Sequence, residues 1–375
     1  MPEPEVRWGE PSPFSVGIEE EVMILDSETL LLEPAVGVLI RETERLGLDG
    51  EVKPELFAAV VELTSPVSRS VPEAVESLRT LRRTAIEAAE RHGLRIAAAG
   101  THPISPPEKQ EIADDPRYQA FVEYAGVSAR RQGVNGLHVH IGMPSAQACF
   151  HALEGVLPWL PLVLALSANS PYLAGRETGL ASNRAEVLAQ LPRAGAPPAF
   201  RSYADWEAFA ERFRRLGLID DYRRLWWDIR PHPLFGTLEV RMPDQPTRLE
   251  LTAAFAALLQ ALCVVVLAGP QPRYDPAGRG VYQQNRWAAL RRGPEAELVH
   301  PHQERLVPAH ELAAELVDLV APAASELGTA ELVQPLLRGA CEGDEQLAIG
   351  RAAGLQAVCA GLVARTEPAT IGTRG

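Results

Sequence analysis

Three consecutive glutamates, Glu19, Glu20 and Glu21, stand in the middle of an apolar run, residues 14–25 (FSVGIEEEVMIL). A solvated charge run would be odd there. The segment reads as a strand, and strand alternation puts Glu19 and Glu21 on one face and Glu20 on the other. On that reading Glu20→Gln should cost little activity. Glu62 lies mid-strand in residues 58–67, between Val61 and Leu63, with Glu55 seven residues earlier in the loop after Pro54. His138 and His140 form an i,i+2 pair in residues 134–143, and Glu239 and Arg241 another in residues 237–242. If these faces converge, five carboxylates meet. Like charges that close cannot all stay ionised uncompensated. Two or three divalent cations would compensate them, and oxygen ligands with one or two imidazoles select Mg²⁺ or Mn²⁺ over zinc. Each pair alone fits an ordinary salt-bridged or solvent-facing pair; the four together favour a metal site.

Common phosphate-binding signals are missing. There is no GxxxxGK[ST], and neither lysine, Lys53 nor Lys109, follows a glycine-rich turn. Phosphate contacts then fall to metal ions and arginines, with Arg230, Arg241 and those of the 175–193 loop as candidates.

The elements that must position these residues follow from hydrophobic patterning. Strands are expected at 14–25, 58–67, 94–99, 134–143, 225–230 and 237–242, the last two joined as a hairpin around His232 to Gly236. Helices are expected at 34–46, 72–92, 114–132, 146–174 and 205–216. Residues 175–200 form a loop too long to be a mere connection, and beyond Arg248 nearly everything reads as helix. About six strands that do not alternate regularly with helices argue for an α+β fold: a largely antiparallel sheet with helices on one face and a helical C-terminal third. One catalytic domain over 1–375 is expected, with a sheet-bearing core at 14–250, a helical part at 251–365 and flexible tails at 1–12 and 366–375.

Composition narrows the function classes. The 375 residues carry 36 cations and 49 acids, a net charge of −13, which argues against a nucleic-acid partner. Disorder is excluded by 46% hydrophobic residues. Four scattered cysteines without a CxxC make a structural zinc site a poor fit. The acidic, proline-rich start is not a signal peptide. Residues 156–168 are too short to span a bilayer, and 249–267, with Glu250 and Gln260, fit a buried helix better. The reading is a cytoplasmic protein with reduced thiols and no membrane partner.

Five motifs then carry a resemblance: GIEEEV (17–22), VELTSPV (61–67), NGLHVHIGM (135–143), SANSPYLAGRETGLASNR (167–184) and LEVRMPDQPT (238–247). In that order they resemble the glutamate–cysteine ligase type 2 family, carboxylate–amine ligases related to glutamine synthetase. The resemblance implies a glutamine-synthetase-like curved sheet whose concave face holds metals, with helices packed on the outer face. It implies Glu19, Glu21, Glu55, Glu62, His138 and Glu239 as metal ligands and Arg241 at the transferred phosphate. It places His140 near nucleotide or substrate and Arg184 among the substrate arginines. The implied reaction is ATP-dependent: a carboxylate becomes an acyl phosphate, and an amine attacks to form an amide, with glutamate and cysteine the best-known pair. The 175–193 loop is the natural closing element. Partners are then a small-molecule carboxylate and amine, and a homo-oligomer such as a dimer is compatible. Two other readings stay open: a metal-dependent hydrolase using His138-x-His140, and a binding protein that kept the sheet without turnover.

Overall fold

The structure is a computed structural model of the protein and describes residues 6–367. Residues 1–5 and 368–375, the outer parts of the two expected tails, lie outside them. The first strand, β1 (Val16–Asp26), contains the three glutamates. After α1 (Val36–Glu44) come β2 (Glu51–Pro54) and β3 (Val60–Thr64), and α2 (Val71–Glu90) leads into β4 (Leu94–Ala97). Helices α3 (Pro116–Ala125) and α4 (Val127–Arg130) precede β5 (Leu137–Gly142), which carries both histidines. The middle of the chain holds α5 (Ala146–Val156), α6 (Leu160–Ser167), a small hairpin of β6 (Tyr172–Leu173) and β7 (Arg176–Glu177), α7 (Asn183–Leu188) and α8 (Tyr203–Arg215). The hairpin of β8 (Ile229–His232) and β9 (Thr237–Val240) follows, then α9 (Leu249–Ala268) and α10 (Gly278–Arg292). A second small hairpin, β10 (Glu297–Val299) and β11 (Leu306–Pro308), leads to α11 (Ala309–Glu326), α12 (Glu342–Ala353) and α13 (Leu355–Thr366).

The main sheet has seven strands in the order β2-β3-β1-β5-β9-β8, with β4 paired to the far half of β1. Every pairing is antiparallel. The strand that sequence patterning missed is β2. Its four residues (EVKP) lack apolar alternation and end in proline, which belongs on a sheet edge, where β2 lies. The β10–β11 hairpin interrupts the expected all-helical third, and its three-residue strands are too short to leave a period. The 175–200 loop is likewise not structureless. It holds β7 and α7 and is tied down at Gly175 by Pro103 and at Ala181 and Ser182 by the Leu290 carbonyl.

Alternation divides the sheet into two chemically different faces. Val16, Ile18, Val22, Ile24, Val61, Leu63, Leu137, Val139, Ile141, Leu238 and Val240 are buried in one core with residues of α2 and α9. The intervening residues, Glu19, Glu21, Glu62, His138, His140, Arg230 and Glu239, occupy the other face. Helices α5–α6 and α9 are long and apolar enough to span a bilayer, but both are mostly buried as core helices. The helices are not confined to one side, as the sequence reading expected. Val358 and Leu362 of α13 cover Met23 and Leu25 at the far end of the acidic face, where β1 turns apolar again.

The inner part of the N-terminal tail is not free. Arg7 N–H donates to the Pro233 carbonyl, Gly9 N–H to that of Met143, and the Trp8 indole to the Tyr203 hydroxyl. At the other end the Thr366 hydroxyl accepts from Ala98 N–H.

Candidate active site

Register brings the chemistry-bearing residues together. Glu19 lies opposite His138, Glu21 opposite Glu62, His140 opposite Glu239, and Glu239 opposite Arg230. Two carboxylates directly opposed, as Glu21 and Glu62 are, repel one another. Glu55 joins them from the connection after β2. The result is two donor groups: Glu21, Glu55 and Glu62, and beside them Glu19, His140 and Glu239, each with ligand atoms within 4.8 Å of one another.

The two histidines are placed differently from the expectation. His140 stands with Glu19 and Glu239. Its Nδ1 faces the Thr237 hydroxyl at 3.0 Å, while its buried Nε2 lies 3.4 Å from Glu19 and 4.0 Å from Glu239 without a hydrogen bond. His138, expected among the metal ligands, sits between the groups, with Nδ1 3.0 Å from Glu19 Oε2 and Nε2 3.7 Å from Glu21 Oε1.

Electrostatics differ sharply between the groups. Burial pushes Glu55 up to about 7, reinforced by the charge of Glu21 and opposed by the Leu56 N–H. Burial and the charges of Glu19, Glu55 and Glu21 push Glu62 well above the usual range, against the pull of Lys53. Lys53 is the nearby cation, 3.9 Å from Glu62 and already paired with Glu51 at 2.6 Å. Burial would also raise Glu19 and Glu239, but their partners prevail. His140 and His138 hold Glu19 well below the carboxylate range, and Arg230, Arg241 and His140 do the same for Glu239. Burial and the Arg241 charge lower His138, whereas Glu19 raises His140 against its burial.

The expected arginines divide by what they touch. Arg241 donates to Glu239, lies 3.5 Å from His138 Nδ1 and keeps 21% of its side chain exposed. Arg230 does not offer itself to a phosphate. Its Nε and one terminal nitrogen clamp Glu239 at 2.6 and 3.1 Å, and the other donates to the Arg223 and Leu225 carbonyls. Arg184 is buried at the start of α7, with its terminal nitrogens on the Met242 and Arg241 carbonyls at 3.1 and 2.9 Å. It therefore holds the backbone beneath Arg241, and Arg241 N–H is held in turn by the Asp228 carbonyl at 2.8 Å.

Sequence reasoning missed the residues that do the holding. Gln245 accepts from Glu21 N–H at 3.1 Å and donates to the Glu20 carboxylate at 3.3 Å, so it holds both the backbone of β1 and its buried acid. Asp244 accepts from Asn169 N–H and from the hydroxyls of Ser170 and Ser182, tying two of the motifs together. Both lie inside quoted motifs, which was the available signal. Thr237, which orients His140, gave none.

The donor chemistry suits a hard cation. Burial raises the proton affinity of Glu55 and Glu62, and their cluster with Glu21 has Lys53 at its edge already paired with Glu51; an oxygen set of this kind fits Mg²⁺ or Mn²⁺.

Residues 15–367 match the model of the glutamate-cysteine ligase family 2. A protein of Rubrobacter xylanophilus, provisionally named glutamate–cysteine ligase 2-3, is 40% identical over 92% of this chain and 94% of its own. One from Herpetosiphon aurantiacus, provisionally named glutamate–cysteine ligase 2, is 36% identical over 89% and 88%. Among solved structures, the glutamate–cysteine ligase of Francisella tularensis in complex with AMP superposes with a TM-score of 0.70 at 14% identity, covering 95% of this chain and 89% of that one. A bifunctional glutathione synthetase from Pasteurella multocida gives 0.69 at 14% identity, over 94% of this chain and 52% of that one. The latter two show a shared fold, an antiparallel sheet faced with helices. With a family match across nearly the whole chain and relatives of this identity and coverage, the protein belongs to the glutamate–cysteine ligase family 2.

Proposed function

We propose that the protein is an ATP-dependent carboxylate–amine ligase that forms an amide through an acyl phosphate, with glutamate as the carboxylate and cysteine as the amine. One observation carries the reading: two adjoining donor groups, five carboxylates in all, converge on one sheet face of a chain in this family. The AMP in the Francisella tularensis protein supports an adenine nucleotide as co-substrate.

Glu21, Glu55 and Glu62 would hold one divalent cation, and Glu19, His140 and Glu239 another; bound there, they supply Lewis-acid charge against the phosphate oxygens. The rest is the work of the chain. Arg241 points a fixed cation at the transferring phosphoryl group, where charge preorganised in a buried site is most effective. Arg230 neutralises Glu239 from behind. Arg184 and Asp228 hold the Arg241 backbone at its carbonyl and its N–H. His138, kept neutral by burial and Arg241, spaces Glu19 from Glu21. No side-chain nucleophile is required, because positioning of the acyl phosphate and the amine supplies the rate. The four cysteines are free and buried, which suits a cytoplasmic setting and leaves none at the site.

The test is purified protein with Mg-ATP and a matrix of amino acids and amines, scored by ADP release and product mass. Amide product with stoichiometric ADP is expected, the largest yield coming from glutamate and cysteine. Turnover without ATP would return the hydrolase reading, and nucleotide binding without any product would return the binding-protein one.

A further inference from the structure

The β8–β9 turn carries a feature that the donor groups do not use. Phe235, at the tip of the hairpin, is 53% exposed, yet its ring is stacked on His232 at 4.1 Å between centroids and 14° between planes. His232 lies against His140 at 5.6 Å, and Phe235 itself is 5.7 Å from that ring. Three rings thus run from the Glu19–His140–Glu239 group out to solvent. Two of them have an unanswered polar atom. His232 is 4% exposed and its Nδ1 has no hydrogen-bond partner, and the same holds for Nε2 of the buried His140.

The turn is also held still. Phe235 N–H donates to the His232 carbonyl at 3.1 Å and Gly236 N–H to that of Pro233 at 3.3 Å. Gly236 has a φ of +66°, and any Cβ there would collide with the Arg7 carbonyl, so the N-terminal segment and the turn interlock. Arg7 N–H closes the lock on the Pro233 carbonyl at 2.9 Å. A lone exposed phenylalanine needs no explanation. A preorganised one, stacked on one side and half open, at the end of a ring ladder rising from a phosphate-type site, is a platform.

We propose that Phe235, backed by His232, is the stacking platform for the base of the nucleotide whose phosphates lie at the donor groups. This rests on the nucleotide-dependent reading above and adds to it the element that distinguishes a nucleotide from bare polyphosphate. A planar base lies over the open side of Phe235, since every base has a π-face and stacking on an aromatic side chain tolerates any of them. His232 lies beneath the phenyl ring, stacked on its covered side, and fixes its plane.

The test is equilibrium binding by calorimetry on the full chain, with Mg-ATP and Mg-tripolyphosphate as separate probes, for wild type, Phe235→Ala and Phe235→Tyr. Phe235→Ala is expected to weaken ATP about ten- to a hundredfold while leaving tripolyphosphate within about twofold; Phe235→Tyr should keep ATP near wild type. Unchanged ATP affinity in Phe235→Ala overturns the platform while leaving the ligase reading intact. So does equal weakening of both probes, which would make Phe235 a prop for His140. Failure of wild type to bind ATP at all overturns both. Because the side chain is half exposed, the alanine variant should melt within a few degrees of wild type, and the tyrosine variant guards against a folding artefact.

Discussion

Glu20 and Glu21 are adjacent in sequence but lie on opposite faces of β1 and meet opposite kinds of partner. Glu20 faces the helical core and is fully buried, as is Arg82 of α2, whose guanidinium clamps it at 2.6 and 2.7 Å. The Thr252 hydroxyl and Gln245 amide complete the carboxylate's bonds, and the rest of Arg82 is spent on the Pro246, Thr247 and Thr366 carbonyls. Glu21 faces Glu55 and Glu62, and its carboxylate is met by the Gly136 N–H and, at 3.7 Å, the His138 imidazole, with no guanidinium clamped to it among the described residues. A buried acid with a matched cation is structure: little is gained over an apolar pair, but much is lost when one partner goes. Buried acids gathered without enough cation strain the fold and create a demand for a ligand. Three acids in a row on β1 therefore serve two ends through alternation alone.

The sharpest way to break this comparison is to neutralise each acid in turn. Glu21→Gln should lower amide formation by two orders of magnitude or more while melting at or above the wild-type temperature without metal. Glu20→Gln should do the reverse, destabilising the fold by roughly 3–5 kcal/mol in urea titration because Arg82 is left uncompensated. This corrects the expectation that Glu20→Gln is mild: activity falls with the folded fraction, not through chemistry. Equal stability of the two variants would erase the distinction between the faces.

Next in size is the response to Mg²⁺. Binding to the folded state alone should stabilise wild type by about 2.7 kcal/mol at a hundredfold excess over Kd, read as a difference in melts with EDTA and with Mg²⁺. The shift should grow with pH. Glu55 rises from 4.5 to about 7 on folding and Glu62 also rises, so the metal-free fold binds more protons than the unfolded chain across that window. Its stability then falls as pH climbs from about 4.5 through 7, whereas the metal-bound form is spared. Glu62→Gln should flatten that fall and weaken Mg²⁺ binding. Identical wild-type melts in both buffers at pH 8 would refute the converging-carboxylate argument.

The smallest effect expected is at the boundary between the two kinds of pairing. Arg241→Lys keeps the charge beside Glu239 but loses the planar fork that can hold a carboxylate and a phosphate at once. Turnover should drop about tenfold or more with stability nearly unchanged, and near-normal turnover would make Arg241 a structural partner of Glu239 only.

Much of this molecule was legible in its sequence because alternation is a local rule. The period of two alone assigned Glu19 and Glu21 to one face and Glu20 to the other, joined His138 with His140, and set Glu239 beside Arg241. Proline and glycine punctuation marked α2 and the β8–β9 hairpin, and apolar length marked α9 as a core helix. Other features depend on register and on which elements lie side by side, and neither is encoded at short range. That His140 rather than His138 stands with Glu239 follows from the β5–β9 pairing. That Arg230 is consumed by Glu239 follows from its place directly across the hairpin. The terminal nitrogens of Arg184, at the start of α7, are spent on the Met242 and Arg241 carbonyls, and Arg82 reaches Glu20 across 62 residues. A sequence states which charges will be buried. Only the tertiary structure decides which of them meet a partner, because an ion pair is a matter of a few ångströms between residues that the chain brings together from far apart.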